Sequence, residues 1–246
     1  TAVNDEPIDA ELVEGEVIDV EIVSVEKLDA GVTQPQRVTL RKDGVELRAV
    51  FKQLSTTYDD ATGAKASFDS DRFEYELAAY KLDRLIGLDM VPVAVPRTIG
   101  KRRGVLQFWI DNSINLRHMI EQKLQPAGWC EALAQYNLMN VFDVLTGNTD
   151  RTQENALFTR DWMLVLIDHS LAFRTHQKRP RLLYLGELQL PPALAERLAA
   201  LDAMQLQQAL GPWLQKRQID AILKRRDQLL REYRAAAAAG QRATGT

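Results

Sequence analysis

The stretch Asp143–Arg174, DVLTGNTDRTQENALFTRDWMLVLIDHSLAFR, constrains this chain more than any other. A helical run breaks at Gly147, and a polar loop from Asn148 to Asn155 follows. Two short apolar runs come next, Ala156 to Phe158 and Met163 to Ile167, which predict a hairpin turning at Thr159 to Trp162. The second strand ends on Asp168. Paired strands therefore bring Asn155 and Asp168 to neighbouring places on one edge, with Asp150 just ahead of them on the loop. An acid, an amide and a second acid so placed suit a hard cation with oxygen ligands, and magnesium carrying a nucleoside triphosphate is the commonest such tenant. The plainer alternative is a polar loop joining two core strands.

Asp150 and Asn155 stand five apart, as do the Asp and Asn of the protein-kinase motif H-R-D-L-x-x-x-N, and Asp168 takes the place of the Asp in D-F-G. The words NTDRTQEN and LIDHSLAF resemble more closely the atypical kinases: HipA-like kinases, type II phosphatidylinositol 4-kinases and the Golgi casein kinases. Those carry N-x-D-R-x-x-x-N and then I-D-x-x-x-A-F. Two departures stand out. Thr152 occupies a place where many relatives have His, and His169-Ser170 replaces Phe-Gly, so activation-loop rules do not carry over. The resemblance implies an α+β, bilobal protein-kinase-like fold with a mainly β N-terminal lobe and a helical C-terminal lobe. It also implies ATP and magnesium as cofactors.

Upstream, Ile18, Val20 and Ile22 alternate with Asp19 and Glu21, the period of a half-buried strand, and Val38 and Leu40 resume it after a turn. Asp43-Gly44 is a tight-turn signal. The next strand, Val45 to Gln53, puts Val45, Leu47, Ala49 and Phe51 on one face and Val50 and Lys52 on the other. A helix from about Asp71 to Ile86, capped by Asp69 or Ser70, has an apolar stripe of Leu77, Ala78, Leu82, Leu85 and Ile86, with Glu76 outside it. Val91 to Ile99 and Val105 to Ile110 flank a Gly-Lys-Arg-Arg-Gly turn, and Pro92 and Pro96 mark the first as an edge or irregular strand. By the kinase resemblance Lys52 is the phosphate-gripping lysine, Glu76 rather than Glu74 its helical partner, and Gln107 to Asp111 the hinge. Nucleotide contacts then fall to Lys52, Val50, Gln107 and Asp111, metal ligation to Asn155 and Asp168, and acceptor-hydroxyl chemistry to Asp150. Arg151 would pair with Asp143 or steady the loop.

A short helix is expected over Leu116 to Leu124 and a buried one over Trp129 to Leu145, then helical segments over Pro192 to Leu201, Ala203 to Leu210 with Asp202 as cap, and Pro212 to Arg234. Lys224-Arg225-Arg226 reads as a solvated helix face, and Cys130 as packed within a helix. The organisation expected is an acidic flexible tail at 1–15, an N-lobe at 16–110, a hinge and C-lobe at 111–234, and a flexible tail at 235–246.

Composition narrows the partners. The chain has 246 residues, 46% hydrophobic and 26% charged, enough for one large domain or two lobes. A net charge of only −3 argues against a general nucleic-acid binder. Charge is uneven: nine acids and no basic residue precede Lys27. One cysteine fits a reducing, cytoplasmic setting. No apolar run approaches the roughly 20 residues needed to span a bilayer, and no signal peptide is visible. The expected activity is transfer of the ATP γ-phosphate to a hydroxyl. A protein Ser or Thr is the first-choice acceptor and a lipid or sugar the second; a catalytically silent nucleotide-binding scaffold is the reading of a different class.

Overall fold

The structure is a computed structural model, and it describes residues 20–28, 35–53, 55–56, 71–184 and 188–244. Ile18, the expected caps Asp69 and Ser70, and the segment 1–15 lie outside these residues.

Alternation of apolar and polar residues builds an antiparallel five-stranded sheet from β1 (Glu21–Lys27), β2 (Gln36–Lys42), β3 (Val45–Lys52), β6 (Ala94–Ile99) and β7 (Arg102–Phe108). Its order is β1-β2-β3-β7-β6. Strand β6 is an edge, which is where Pro96 is tolerated. The short β4 (Ser55–Thr56) and β5 (Asp71–Arg72) pair with each other. Strand β3 divides as its period demands. Ala49 and Phe51 are buried in the core, while Val50 and Lys52 face a cleft. The β6–β7 turn is tighter than the sequence indicated: Arg102 and Arg103 are already strand, paired with Ile99 and Thr98. Gly104 is required beneath them, because a Cβ there would run into the Lys52 carbonyl and stand 2.8 Å from the Phe51 ring.

Helix α1 (Phe73–Ile86) starts two residues later than expected, with Arg72 at the N-cap and no side-chain cap. It is not a surface helix with one apolar stripe. Phe73, Tyr75, Leu77, Ala79, Tyr80 and Leu82 are all buried, and so is Glu76, whereas Leu85 is exposed. The cause is that α1 is covered on two sides: the sheet packs on one, and on the other lie α4 (Pro192–Ala200) and α5 (Ala203–Leu210). Its C-terminus is sealed from outside, Arg197 Nη1 donating to the carbonyls of Ile86 at 3.1 Å and Gly87 at 2.6 Å.

After β7 the chain passes through β8 (Ile114–Asn115) and α2 (Leu116–Glu121), which stops three residues short of the expected Leu124. Helix α3 (Ala132–Thr146) begins three residues later than expected, so Cys130 precedes it rather than packing within it. The expected hairpin forms from β9 (Ala156–Phe158) and β10 (Leu164–Leu166), and β8 joins it to make a three-stranded sheet. Asp202 caps α5 through a capping box with Gln205.

The last helix, α6 (Lys216–Thr244), corrects two expectations. It starts at Lys216 rather than Pro212. It also runs through the alanine-rich 235–244 read as a flexible tail, because alanine is the best helix former. Of the run Lys224-Arg225-Arg226, only Lys224 is the solvated face expected. Arg225 is buried, donating from Nε to the Leu145 carbonyl at 2.9 Å and from Nη1 to the Arg174 carbonyl at 2.6 Å. Arg226 Nη2 meets Asp227 at 2.6 Å. Among the described residues, no helix is long and apolar enough to cross a membrane.

Candidate active site

Two elements of different origin meet at the cleft. Strand β3 brings Lys52 in from the sheet, and the loop after α3 brings Asp150 from the helical region. The loop is launched by a left-handed turn. Gly147 has φ of 64°, and its N–H and that of Asn148 return to the carbonyls of Val144 (3.2 Å) and Asp143 (2.9 Å), closing α3 as a Schellman motif. Glycine is needed twice over, since a Cβ there would also stand 2.8 Å from the Arg225 guanidinium.

At the back of the cleft Lys52 Nζ lies 2.6 Å from Glu76 Oε1 and 3.3 Å from Asp168 Oδ1. Burial by itself would lower the Lys52 pKa, but the two carboxylates outweigh it and raise the value above the ordinary lysine one. Burial likewise works to raise Glu76, yet the Lys52 ammonium and His169 hold its carboxyl below the usual range. The pair is charged. Glu74, by contrast, faces Arg72 at 3.4 Å.

From Glu76 a chain of buried contacts runs to the loop. Glu76 Oε2 accepts the His169 backbone N–H at 3.1 Å. Arg151 Nη2 lies 2.9 Å from His169 Nε2. A guanidinium only donates, so Nε2 is the acceptor and the proton sits on Nδ1. That Nδ1 faces Glu76 Oε2 at 3.5 Å, a charge–dipole contact rather than a good hydrogen bond. Burial lowers the His169 pKa, with Arg151 adding to the effect, so the ring is neutral.

Arg151 does both things expected of it. Its Nε meets Asp143 Oδ2 at 3.0 Å, and its Nη1 donates to the carbonyls of Asn155 (2.8 Å) and Ile167 (2.7 Å). One guanidinium therefore fixes the backbone of Asn155 beside that of the residue before Asp168. The Ile167 N–H adds a bond to the Asn155 carbonyl at 3.1 Å.

The front of the cleft is less bonded. Asp150 reaches solvent, with its backbone N–H held by Asn148 Oδ1 at 3.1 Å. Such desolvation as it suffers, and then the charge of Asp168, push its pKa up, against Arg151 and Arg174. Asp168 sits at φ of 60°, a left-handed conformation that aspartate tolerates better than most residues.

Between back and front is a cavity of about 920 Å³. Its walls are apolar, from Leu28, Val50, Phe108, Ile114, Leu157 and Ile167, and its inner end carries Lys52, Asn155 and Asp168. Of the hinge set, Gln107, Phe108, Trp109 and Ile110 line it. Asp111 does not; its carboxylate turns outward to Arg48 at 2.5 Å. A charged side chain with an arginine across an exposed edge has no reason to enter an apolar slot.

His118 also lines the cavity. Sequence reasoning missed His169 as a connector and Arg225 as a carbonyl clamp. A signal for Arg225 existed: Gln218, Ile222, Arg225 and Leu229 recur at four, three and four residues, one buried stripe of α6.

No protein-family model matches the chain, and no curated protein does. Solved structures do. Hydra Fam20, solved with sugar, superposes with a TM-score of 0.63 at 15% identity, over 93% of this chain and 90% of that one. A Golgi casein kinase gives 0.65 at 15% identity, over 93% and 75% of the two chains. A Golgi casein kinase with Mn/ADP bound gives 0.63 at 14% identity, over 91% and 75%. This chain has an atypical protein-kinase-like fold, an antiparallel sheet region followed by a helical one. Within that class its fold is similar to those of Fam20 and the Golgi casein kinase.

Proposed function

We propose that this protein is a magnesium-dependent phosphotransferase that moves the γ-phosphate of ATP to a hydroxyl, with a protein Ser or Thr as acceptor. The observation that carries the reading is Lys52 held between Glu76 and Asp168 at one end of an apolar slot, with the Asp150 carboxylate close enough to Asp168 for the two charges to act on each other. The kinase neighbours, one solved with Mn/ADP, support it.

The donor set suits magnesium. Among the described residues no cluster of three or more His, Cys, Asp or Glu side chains stands ready to cage a metal. One carboxylate, Asp168, and one amide, Asn155, leave room for phosphate oxygens, the usual pattern for this ion. Bound there, magnesium would neutralise phosphate charge. The chain's own groups do the rest. The apolar walls hold the base and exclude water from it. Lys52, fixed by Glu76, places a point charge on the phosphates. Asp150 orients the acceptor hydroxyl and takes its proton as transfer completes. Catalysis rests on positioning and charge rather than covalent chemistry.

Work in a reducing compartment such as the cytoplasm fits a chain with a single cysteine. A sugar hydroxyl is the second reading of the acceptor, since one neighbour was solved with sugar. Labelled ATP incubated with the protein and a source-cell extract, with products separated into protein, lipid and glycan fractions, tests this. Label in protein supports the proposal and label in glycan supports the second reading. Nucleotide binding with no transfer or hydrolysis in any fraction supports a silent scaffold.

A further inference from the structure

One wall of the cavity holds a side chain whose amide nitrogen finds no partner among the described residues. Gln107 is almost fully buried, yet its Nε2 has no hydrogen-bond partner. Its place in the ladder explains why. Its partner on β3 is Val50 and its partner on β6 is Ala94, so neither neighbouring strand offers a polar side chain at its register. Val50 faces the same cavity that Gln107 lines. Burying an amide without a partner is costly, and such groups in folded proteins call for an explanation. An apolar side chain of the same length would fill this place at no such cost.

We propose that the Gln107 carboxamide reads the edge of the nucleotide base and makes the site selective for adenine. The inference rests on the nucleotide reading of the cleft. With the phosphates at Lys52 and Asp168, the base lies between Val50, Phe108 and Leu157, with one edge toward β7. An amide carries a donor and an acceptor side by side. Adenine presents the complement on one edge, the N6 amino group as donor and N7 as acceptor, and glutamine matches both at once. Guanine presents two acceptors there, O6 and N7, so one end of the amide would face a lone pair. Backbone groups of a hinge can hold either purine; this side chain tells them apart.

The test compares Mg-ATP, Mg-7-deaza-ATP and Mg-GTP by calorimetric titration on the full chain and on Gln107→Met. Wild type should bind ATP about tenfold more tightly than 7-deaza-ATP, and up to about a hundredfold more tightly than GTP. In Gln107→Met both ratios should shrink to about twofold or less, while the nucleotide-free protein melts no lower than wild type, because methionine fills the space and removes the unpaired amide. Equal wild-type affinities for the three nucleotides would overturn the proposal, and that arm needs no variant to fold. Ratios unchanged in Gln107→Met, or a variant that melts markedly lower, would also overturn it by assigning Gln107 a structural role. ATP binding without discrimination removes the Gln107 proposal alone. Failure of any triphosphate to bind removes the phosphotransferase reading with it.

Discussion

The back and the mouth of the cleft use the same chemistry in opposite ways. At the back, Lys52, Glu76, His169, Arg151 and Asp143 form a buried chain in which each charged group has a charged or hydrogen-bonding partner supplied by the protein. Toward the mouth, Asp150 is tied through its backbone N–H and its carboxylate is left for something else, while the Asn155 side chain beside it makes only a long bond, Nδ2 donating to the Asp150 carbonyl at 3.4 Å. Buried charges must be paired to be tolerated, so the back is a frame fixed in advance. The mouth is held in place by that frame and is free to engage a ligand.

The sharpest way to break the contrast is at the mouth. Asp150→Asn should lower phosphate transfer about a thousandfold, roughly 4 kcal/mol of transition-state stabilisation, with Mg-ATP affinity and melting temperature nearly unchanged. Transfer rates beside calorimetric titration decide it, and wild-type rates in the variant would remove Asp150 from the chemistry.

A change at the back should act on the fold instead. Glu76→Gln leaves Lys52 without its closest counter-charge and should cost about 3 kcal/mol of unfolding free energy, read from urea denaturation. The sign with pH follows. Because Glu76 is held below its ordinary value of 4.5, the stability it adds is present above pH 4.5 and lost as pH falls below it. The variant should lack that acid limb. An unchanged limb would mean the pair contributes no net stability.

Arg225→Met should cost about 2 kcal/mol, since the carbonyls of Leu145 and Arg174 lose a charged donor. The same denaturation experiment measures it, and a loss near zero would make the clamp ornamental.

A smaller effect concerns pH and rate. Asp150 must be ionised to accept a proton, and its pKa is raised above the ordinary aspartate value, so the acid limb of kcat/KM should be shifted upward with it. Arg174 works to lower that pKa, so Arg174→Gln should move the limb further up. A limb that stays in place would assign it to another group. Least affected should be Asp111→Ala: an exposed ion pair is worth at most about 1 kcal/mol, and Mg-ATP affinity should not change.

Much of the frame was legible in the sequence because it depends on local pattern. The hairpin that delivers Asp168, the alternation that turns Lys52 toward the cleft, and the Asp202 cap are each written within a few residues. Glu76 was identified through resemblance, while its burial was hidden: the helices that cover α1 come more than a hundred residues later. Arg225 failed for a related reason, its basic neighbours masking the buried stripe it belongs to. Asp111 was placed by chain position alone, and an arginine one strand away decided its direction. His169 looked like a departure from a motif, and only the geometry shows it bridging Glu76 and Arg151.

Arg225 also sets an order of events during synthesis. The loop bearing Asp150 leaves the ribosome before α6 does, yet the carbonyls of Leu145 and Arg174 on either side of that loop wait for a guanidinium 80 and 51 residues further along. A nascent chain ending before Arg225 holds every group assigned to the chemistry and lacks the clamp that closes their support. A chain cut before Arg225 would therefore carry the site residues without the donor that ties the two flanks of their segment together.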